Sequence, residues 1–282
     1  MKNQENTEKQ ILVLGGTGKT GSRVVERLIQ MGCSVRIGSR SAEIPFDWNN
    51  QGTWLPVLNG MDAIYITFQP DLAVPGAVNA IRTLSKLAVE SNVKHLVLLS
   101  GRGEEEAQAC EKIIMDAGIN WTILRASWFS QNFSESYLLD GILAGHMALP
   151  VGNIPEPFID VDDIADVAVE VLTNDSHYGE LYELTGPRLL TFQNAVNEIA
   201  AASGRAIQYE QISMDDYKAM LTKYKVPQDI IWLISYLFTE VLDGRNASLA
   251  DGVQRALDRK PTDFSEYIKK TIATNVWNNE TA

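Results

Sequence analysis

The stretch Ile11-Leu12-Val13-Leu14-Gly15-Gly16-Thr17-Gly18-Lys19-Thr20-Gly21 constrains the fold more than any other part of the chain. Four consecutive apolar residues read as a buried strand. A glycine-rich turn follows, and then an amphipathic helix predicted over Ser22 to Met31. In this order the three glycines have separate physical tasks. Gly15 turns the chain at the strand end. Gly18 lets backbone come close to an anion with no Cβ in the way. Gly21 lets the helix pack close to the sheet. The first N–H groups of the helix then face a phosphate. The pattern is therefore read as the pyrophosphate turn of a dinucleotide-binding fold, placed at the head of the chain.

The second strand, Val35–Ile37, refines that reading. An acidic residue at its end would select NAD by bonding the ribose 2′-hydroxyl. Gly38, Ser39 and Arg40 stand there instead. Arg40 carries a planar donor fork suited to a 2′-phosphate, and Ser39 adds a hydroxyl. NADP(H) is the expected cofactor and NAD(H) the lesser alternative; a solvated surface arginine is the bland reading of Arg40. Lys19 either adds positive charge at the phosphates or projects into water.

Strand and helix signals alternate along the first half. Strands are predicted at Ala63–Phe68, His95–Ser100 and Trp121–Arg125. Helices are predicted at Val78–Ser91 and Glu104–Ala117. Near-continuous apolar strands imply a parallel sheet covered on both faces. The expected fold is thus α/β, a Rossmann-like doubly wound parallel sheet, with a smaller and mostly helical C-terminal region. The expected division is a tail over 1–10, a nucleotide-binding domain over 11–150 and a substrate or lid region over 151–282. Short strands near 158–160 and 181–184 are expected to return to the sheet. Helices are expected at Ile164–Leu172 and, capped by Thr191, at Phe192–Ser203.

The 282 residues carry a net charge of −12, which argues against nonspecific binding to a nucleic-acid backbone. Two cysteines, Cys33 and Cys110, make neither a disulfide framework nor a zinc cluster, so a reducing cytoplasm is the expected setting. No apolar run reaches the roughly 18 residues of a membrane span. The apolar segment Ile230–Leu242 is read as a buried helix, a lid or the interface of a homodimer. His95 is read as structural, His146 as a turn residue able to reach a cleft, and His177 as a surface-loop residue. Asp160, Asp162 and Asp163 are read as helix capping, and no metal is expected.

With these pieces in place, the chain resembles the NmrA-like members of the atypical short-chain dehydrogenase/reductase superfamily. The residues that carry the resemblance are Gly15–Gly21, Val35–Arg40, His95–Gly101, Trp121–Phe133, Pro157–Ala168 and Tyr182–Phe192. Phe46–Trp54 is also similar to a segment of the fungal festuclavine and agroclavine reductases. By position, the resemblance implies that Gly15, Thr17, Gly18, Lys19, Thr20 and Gly21 hold the pyrophosphate and that Ser39 and Arg40 hold the adenosine end. It places Thr67, Phe68 and Gln69 along the cofactor, and Ser100, Gly101, Ala126, Ser127 and Trp128 near the nicotinamide.

The Tyr-x-x-x-Lys pair common in that superfamily is missing; Gly103 and Ala107 stand at the two positions. That disfavours alcohol–ketone chemistry. It leaves hydride transfer to an activated acceptor, which needs less help from a protein acid. Ser100 is the catalytic candidate, as a donor to substrate, or else a strand-end serine capping backbone. Arg102 or a Glu in Glu104–Glu106 is the other acid/base candidate, with Glu104–Glu106 set against a dipole-favoured helix start. Trp128, Phe129, Asn132, Phe133 and Tyr137 suit a small apolar or aromatic substrate, although part of this set reads equally as core. The expected function is NADPH-dependent reduction of an imine, quinone or conjugated carbonyl. The alternative is a non-catalytic NADP(H)-binding regulator that acts through a protein partner.

Overall fold

The computed structural model describes residues 9–278. In chain order the elements begin with β1 (Gln10–Leu14), α1 (Lys19–Gln30), β2 (Ser34–Gly38), α2 (Trp54–Leu58), β3 (Ala63–Ile66) and α3 (Ala77–Glu90). Then come β4 (His95–Gly101), α4 (Glu105–Met115), β5 (Asn120–Ala126), α5 (Leu139–Ala144), β6 (His146–Leu149), β7 (Pro155–Glu156) and α6 (Val161–Thr173). The last are β8 (Glu180–Leu184), β9 (Leu190–Thr191), α7 (Phe192–Ser203), β10 (Gln208–Gln211), α8 (Met214–Lys223), α9 (Gln228–Tyr236), α10 (Gly252–Leu257) and α11 (Phe264–Ile272).

The chain divides into two units. The first holds the residues up to Ala126 together with Val161–Leu184 and Asp251–Arg259. Its six strands form one parallel sheet in the order β2-β1-β3-β4-β5-β8. The inner strands are buried because their runs are apolar on both faces: Ile11–Leu14, Ala63–Ile66 and Leu96–Leu98 are all at most 2% exposed. After β1 the chain steps outward to β2 and then returns past β1 to β3. That reversal leaves a crevice at the carboxyl ends of β1 and β3, the place where open α/β sheets bind ligands.

The second unit holds Ser127–Asp160, Thr185–Ala250 and the residues from Lys260 on. Its core is aromatic: Phe133, Phe158, Phe192 and Phe264 pack edge-on or tilted. Two small sheets, β6 with β10 and β7 with β9, complete it. Thr191 caps α7 by accepting from Asn194 N at 3.1 Å, as its place in the sequence predicts.

The boundaries therefore depart from 11–150 and 151–282. Residues 127–150 lie outside the sheet unit, while α6 and β8 lie within it, because the sixth strand needs its crossover helix beside it. The segment Phe158–Asp160 is not a sheet strand. It makes one bridge, Ile159 to Phe129, with Ile159 N donating to Trp128 O at 2.9 Å and Ser130 N to Ile159 O at 2.8 Å. Pro157 before it and the start of α6 after it leave no length for a ladder. Of the expected tail over 1–10, residues 1–8 lie outside the described residues, and Gln10 belongs to β1, its N–H bound to Asp62 Oδ2 at 3.0 Å.

His177 is buried rather than a surface-loop residue. Its ring bonds Tyr182 Oη at 2.6 Å. His146 is an exposed residue of β6, with Nε2 2.9 Å from Glu210, and not in a turn. Ile230–Leu242 forms most of α9 and a π-helical turn over Leu237–Val241. Its Ile231, Ile234, Phe238 and Leu242 enter the aromatic core while Trp232 remains exposed. Among the described residues no helix is long and apolar enough to cross a membrane.

Candidate active site

The turn after β1 is shaped by what its glycines lack. Gly15 sits at φ +69°, and a Cβ there would lie 2.1 Å from Thr67 Oγ1. Thr67 occupies that space to donate to Leu14 O at 3.0 Å, tying the end of β3 to the end of β1. Gly18 N donates to Gly15 O at 2.8 Å and closes the turn. A Cβ on Gly21 would meet Gly15 O at 2.2 Å and Gly16 Cα at 2.9 Å, so only glycine lets α1 start this close to the strand. The helix begins at Lys19, earlier than predicted, with Gly18 as N-cap and no side chain capping it. Its first-turn N–H groups have no acceptor within the helix. A cradle that a Cβ would fill, facing such amides, fits a dinucleotide pyrophosphate.

Gly38 O accepts from Gly15 N at 2.9 Å, so the end of β2 lies beside the turn. Ser39 and Arg40 follow it. Arg40 is exposed, and among the described residues no acid pairs with it. The loop after β3, Thr67-Phe68-Gln69, is held by an element that sequence reasoning tied only to a family likeness. Trp48 packs its ring on Phe68 at 4.6 Å and donates Nε1–H to Thr67 O at 3.1 Å. Phe46 and Trp54 brace Trp48 from behind.

Ser100, the catalytic candidate, is buried near the end of β4. Its hydroxyl donates to Glu111 Oε1 at 2.6 Å. Arg125 Nε binds the same carboxylate at 2.9 Å, and its Nη1 reaches Glu183 at 2.9 Å. These hydrogen bonds raise the Arg125 pKa, with the Glu111 bond the largest cause. The Ser100 hydroxyl is thus engaged by an internal carboxylate.

Glu104 is the N-cap of α4, yet its side chain turns inward and is buried. Its Oε1 fills the space beside Gly101, where a Cβ would come within 2.0 Å. It hydrogen-bonds Asp71, from the loop between β3 and α3. Burial first, then the Asp71 charge and the hydrogen bond to it, hold the Glu104 carboxyl well above the ordinary carboxylate range. Burial also raises Asp71. The signal in the sequence was an acid run starting three residues after the strand-end Gly101; the missing information was which of the three glutamates turns inward.

Asp160, Asp162 and Asp163 each have a protein partner. Gln131 donates to Asp160 at 2.6 Å, Arg27 pairs with Asp162 at 2.7 Å and Arg259 with Asp163 at 2.7 Å.

Ala126 ends β5 in the first unit, and Ser127 and Trp128 open the second. Ser127 is buried and donates Oγ–H to Pro157 O at 2.6 Å. Trp128 is half-buried, set 5.2 Å from both Phe192 and Phe238. Phe129 and Asn132 are half-buried and Tyr137 is exposed. Phe133 is fully buried among Phe158, Phe192 and Phe264, so it is core and lines no substrate surface.

Comparison with known proteins agrees with this geometry. An NAD(P)H-binding family model matches residues 15–175, and the NmrA-like family model matches residues 105–268. The chain belongs to the NmrA-like family. This NmrA-like protein is 28% identical over 287 residues to agroclavine dehydrogenase of Claviceps fusiformis, covering 95% of this chain and 98% of that one. It is 26% identical over 284 residues to NAD(P)H azoreductase of Xenophilus azovorans, covering 93% and 98%. Among solved structures, the NADPH-dependent quinone oxidoreductase of Escherichia coli with NADPH bound superposes with a TM-score of 0.77 at 20% identity, covering 93% and 99%. The family is one of NAD(P)H-dependent oxidoreductases, and its cofactor is NAD(P)H.

Proposed function

We propose that this NmrA-like protein is an NADPH-dependent reductase of a small, flat, apolar electrophile: an imine, a quinone or a conjugated carbonyl. Trp128 carries the reading. It stands two residues past the carboxyl end of β5, within about 7 Å along the chain, and its indole is only half-buried against Phe192 and Phe238. A rigid, partly exposed aromatic side chain suits contact with a planar acceptor. Relatives of nearly full length that are named an NAD(P)H azoreductase and an agroclavine dehydrogenase support it.

When bound, NADPH supplies the hydride. The chain does the rest by binding and orientation. Gly15, Thr17, Gly18, Lys19, Thr20 and Gly21 would cradle the pyrophosphate. Ser39 and Arg40 would hold the 2′-phosphate. Thr67, Phe68 and Gln69, braced by Trp48, would fix the edge of the cofactor crevice. Gly101 and Ala126 end the strands where the reactive ring belongs.

The test has two stages. NADPH is titrated into the protein by nicotinamide fluorescence, and the complex is then challenged with quinones, cyclic imines and enones. Repeated oxidation of NADPH by one acceptor class is the expected result. Tight NADPH binding with no turnover would instead favour the non-catalytic regulator and redirect the search to a protein partner.

A further inference from the structure

We propose that Glu104, holding a proton shared with Asp71, is the proton donor of this reductase. The inference rests on the reductase reading and deepens it. Two carboxyl groups hydrogen-bond each other only when one of them carries a proton, and here the side chains of Glu104 and Asp71 do so. They reach that arrangement from different elements. Asp71 lies in the loop that leaves β3, and Glu104 caps the helix that follows β4. Both therefore stand beyond the carboxyl ends of adjacent inner strands, on the side of the switch point where the fold takes its ligand.

The place is also built for the carboxyl. Gly101 has no Cβ, and Glu104 Oε1 occupies the vacated space. The nearer alternatives are already used, because the Ser100 proton goes to Glu111 and the segment contains no tyrosine. Around the pair stand Glu106 and Glu111 on α4, both of which disfavour ionisation of Glu104. The Glu111 charge is met by Arg125, and Arg102 is turned toward Glu183 at 3.4 Å. A carboxylic acid whose pKa is held up by burial and a like-charged neighbour is suited to general-acid work.

The step balances as follows. A quinone accepts the hydride from NADPH at one end of its conjugated system. The Glu104 O–H bond breaks, and its proton goes to the oxygen that gains the charge. The pair is left one proton short and regains it from water after product leaves. The sum is NADPH, one proton and quinone giving NADP⁺ and hydroquinone.

The test uses the full chain and two variants, Glu104→Gln and Asp71→Asn, with two acceptors. A 1,4-naphthoquinone needs hydride and proton; a triarylmethane dye cation needs hydride alone. For Glu104→Gln the ratio of quinone to dye turnover is expected to fall about 100-fold, with the NADPH dissociation constant within about threefold of wild type as the sign of an intact fold. Asp71→Asn is expected to lower the same ratio in the same direction. A second readout needs no cofactor. Difference infrared spectra of the unliganded protein should contain a protonated-carboxyl C=O band in wild type that Glu104→Gln removes. The stability of unliganded wild type should also fall as pH rises above the ordinary carboxylate range, because the folded pKa is raised; Glu104→Gln should flatten that fall. An unchanged acceptor ratio, or no such band in wild type, overturns the proposal. If wild type oxidises NADPH with neither acceptor, the reductase reading itself fails and takes this inference with it.

Discussion

Two glycines three residues apart in one turn should fail in opposite ways when each is given a methyl group. At Gly21 the new Cβ would meet three backbone atoms, Gly15 O at 2.2 Å, Gly15 C at 2.7 Å and Gly16 Cα at 2.9 Å. No rotamer relieves such a contact, so the start of α1 must move away from the strand. Overpacking of this kind costs about 1–3 kcal/mol, and a contact with fixed backbone belongs at the upper end. Alanine in a helical position returns about 1 kcal/mol of propensity. The net loss for Gly21→Ala is about 2 kcal/mol, or a melting shift of about 4–8 °C for a chain of this size.

At Gly18 the backbone is ordinary, with φ −85° and ψ 179°. The nearest atom to a Cβ there is Gly15 O at 3.2 Å. Alanine fits such a position and narrows the unfolded ensemble by roughly 0.4–1 kcal/mol, which offsets the tight contact. Gly18→Ala should therefore melt within about 2 °C of wild type. Its methyl would nonetheless project where a pyrophosphate must approach the backbone, and NADPH affinity should fall at least about tenfold, roughly 1.4 kcal/mol. The assay is thermal unfolding of the unliganded protein beside an NADPH fluorescence titration. A Gly18→Ala protein that keeps both its melting point and its NADPH affinity would refute the assignment of this turn to the phosphate.

Three further outcomes follow from other groups. Arg40→Ala should weaken NADPH about tenfold or more and NADH by less than about threefold, since a charge-assisted bond to the 2′-phosphate is worth about 1.5–3 kcal/mol; equal losses for both cofactors would remove the 2′-phosphate role. Arg125→Ala leaves Glu111, 2% exposed, with its main cation gone, and should cost about 3–5 kcal/mol in urea unfolding, whereas a loss below 1 kcal/mol would mean that the carboxylate protonates or finds water. Burial pulls the His95 pKa down to about 3 from an ordinary 6.5. The unfolded chain binds that proton first, so wild-type stability should be full above pH 6.5 and fall as pH drops from there toward 3. His95→Gln should flatten that slope in melting curves, and an unaltered slope would assign the acid sensitivity to other groups.

The sequence by itself determined the sheet and the cofactor turn. Continuous apolar runs such as Ile11–Leu14 leave no polar face, so they dictate a strand covered on both sides. The spacing of Gly15, Gly18 and Gly21 marks a glycine turn between strand and helix. Those are local properties, and local properties are written in consecutive residues. Tertiary structure decided everything that depends on which side chains meet. Phe133 and Trp128 stand five residues apart in one aromatic segment, yet Phe133 is sealed among three phenylalanines while Trp128 is only half-buried. Ser100 reads as a free hydroxyl at a strand end until Glu111, about two helical turns into α4, accepts its hydrogen bond. Glu104 reads as a helix-start charge like its two neighbours. Only the fold brings Asp71 from 33 residues upstream to its carboxyl, where burial and the neighbouring charges raise both groups above the ordinary carboxylate range.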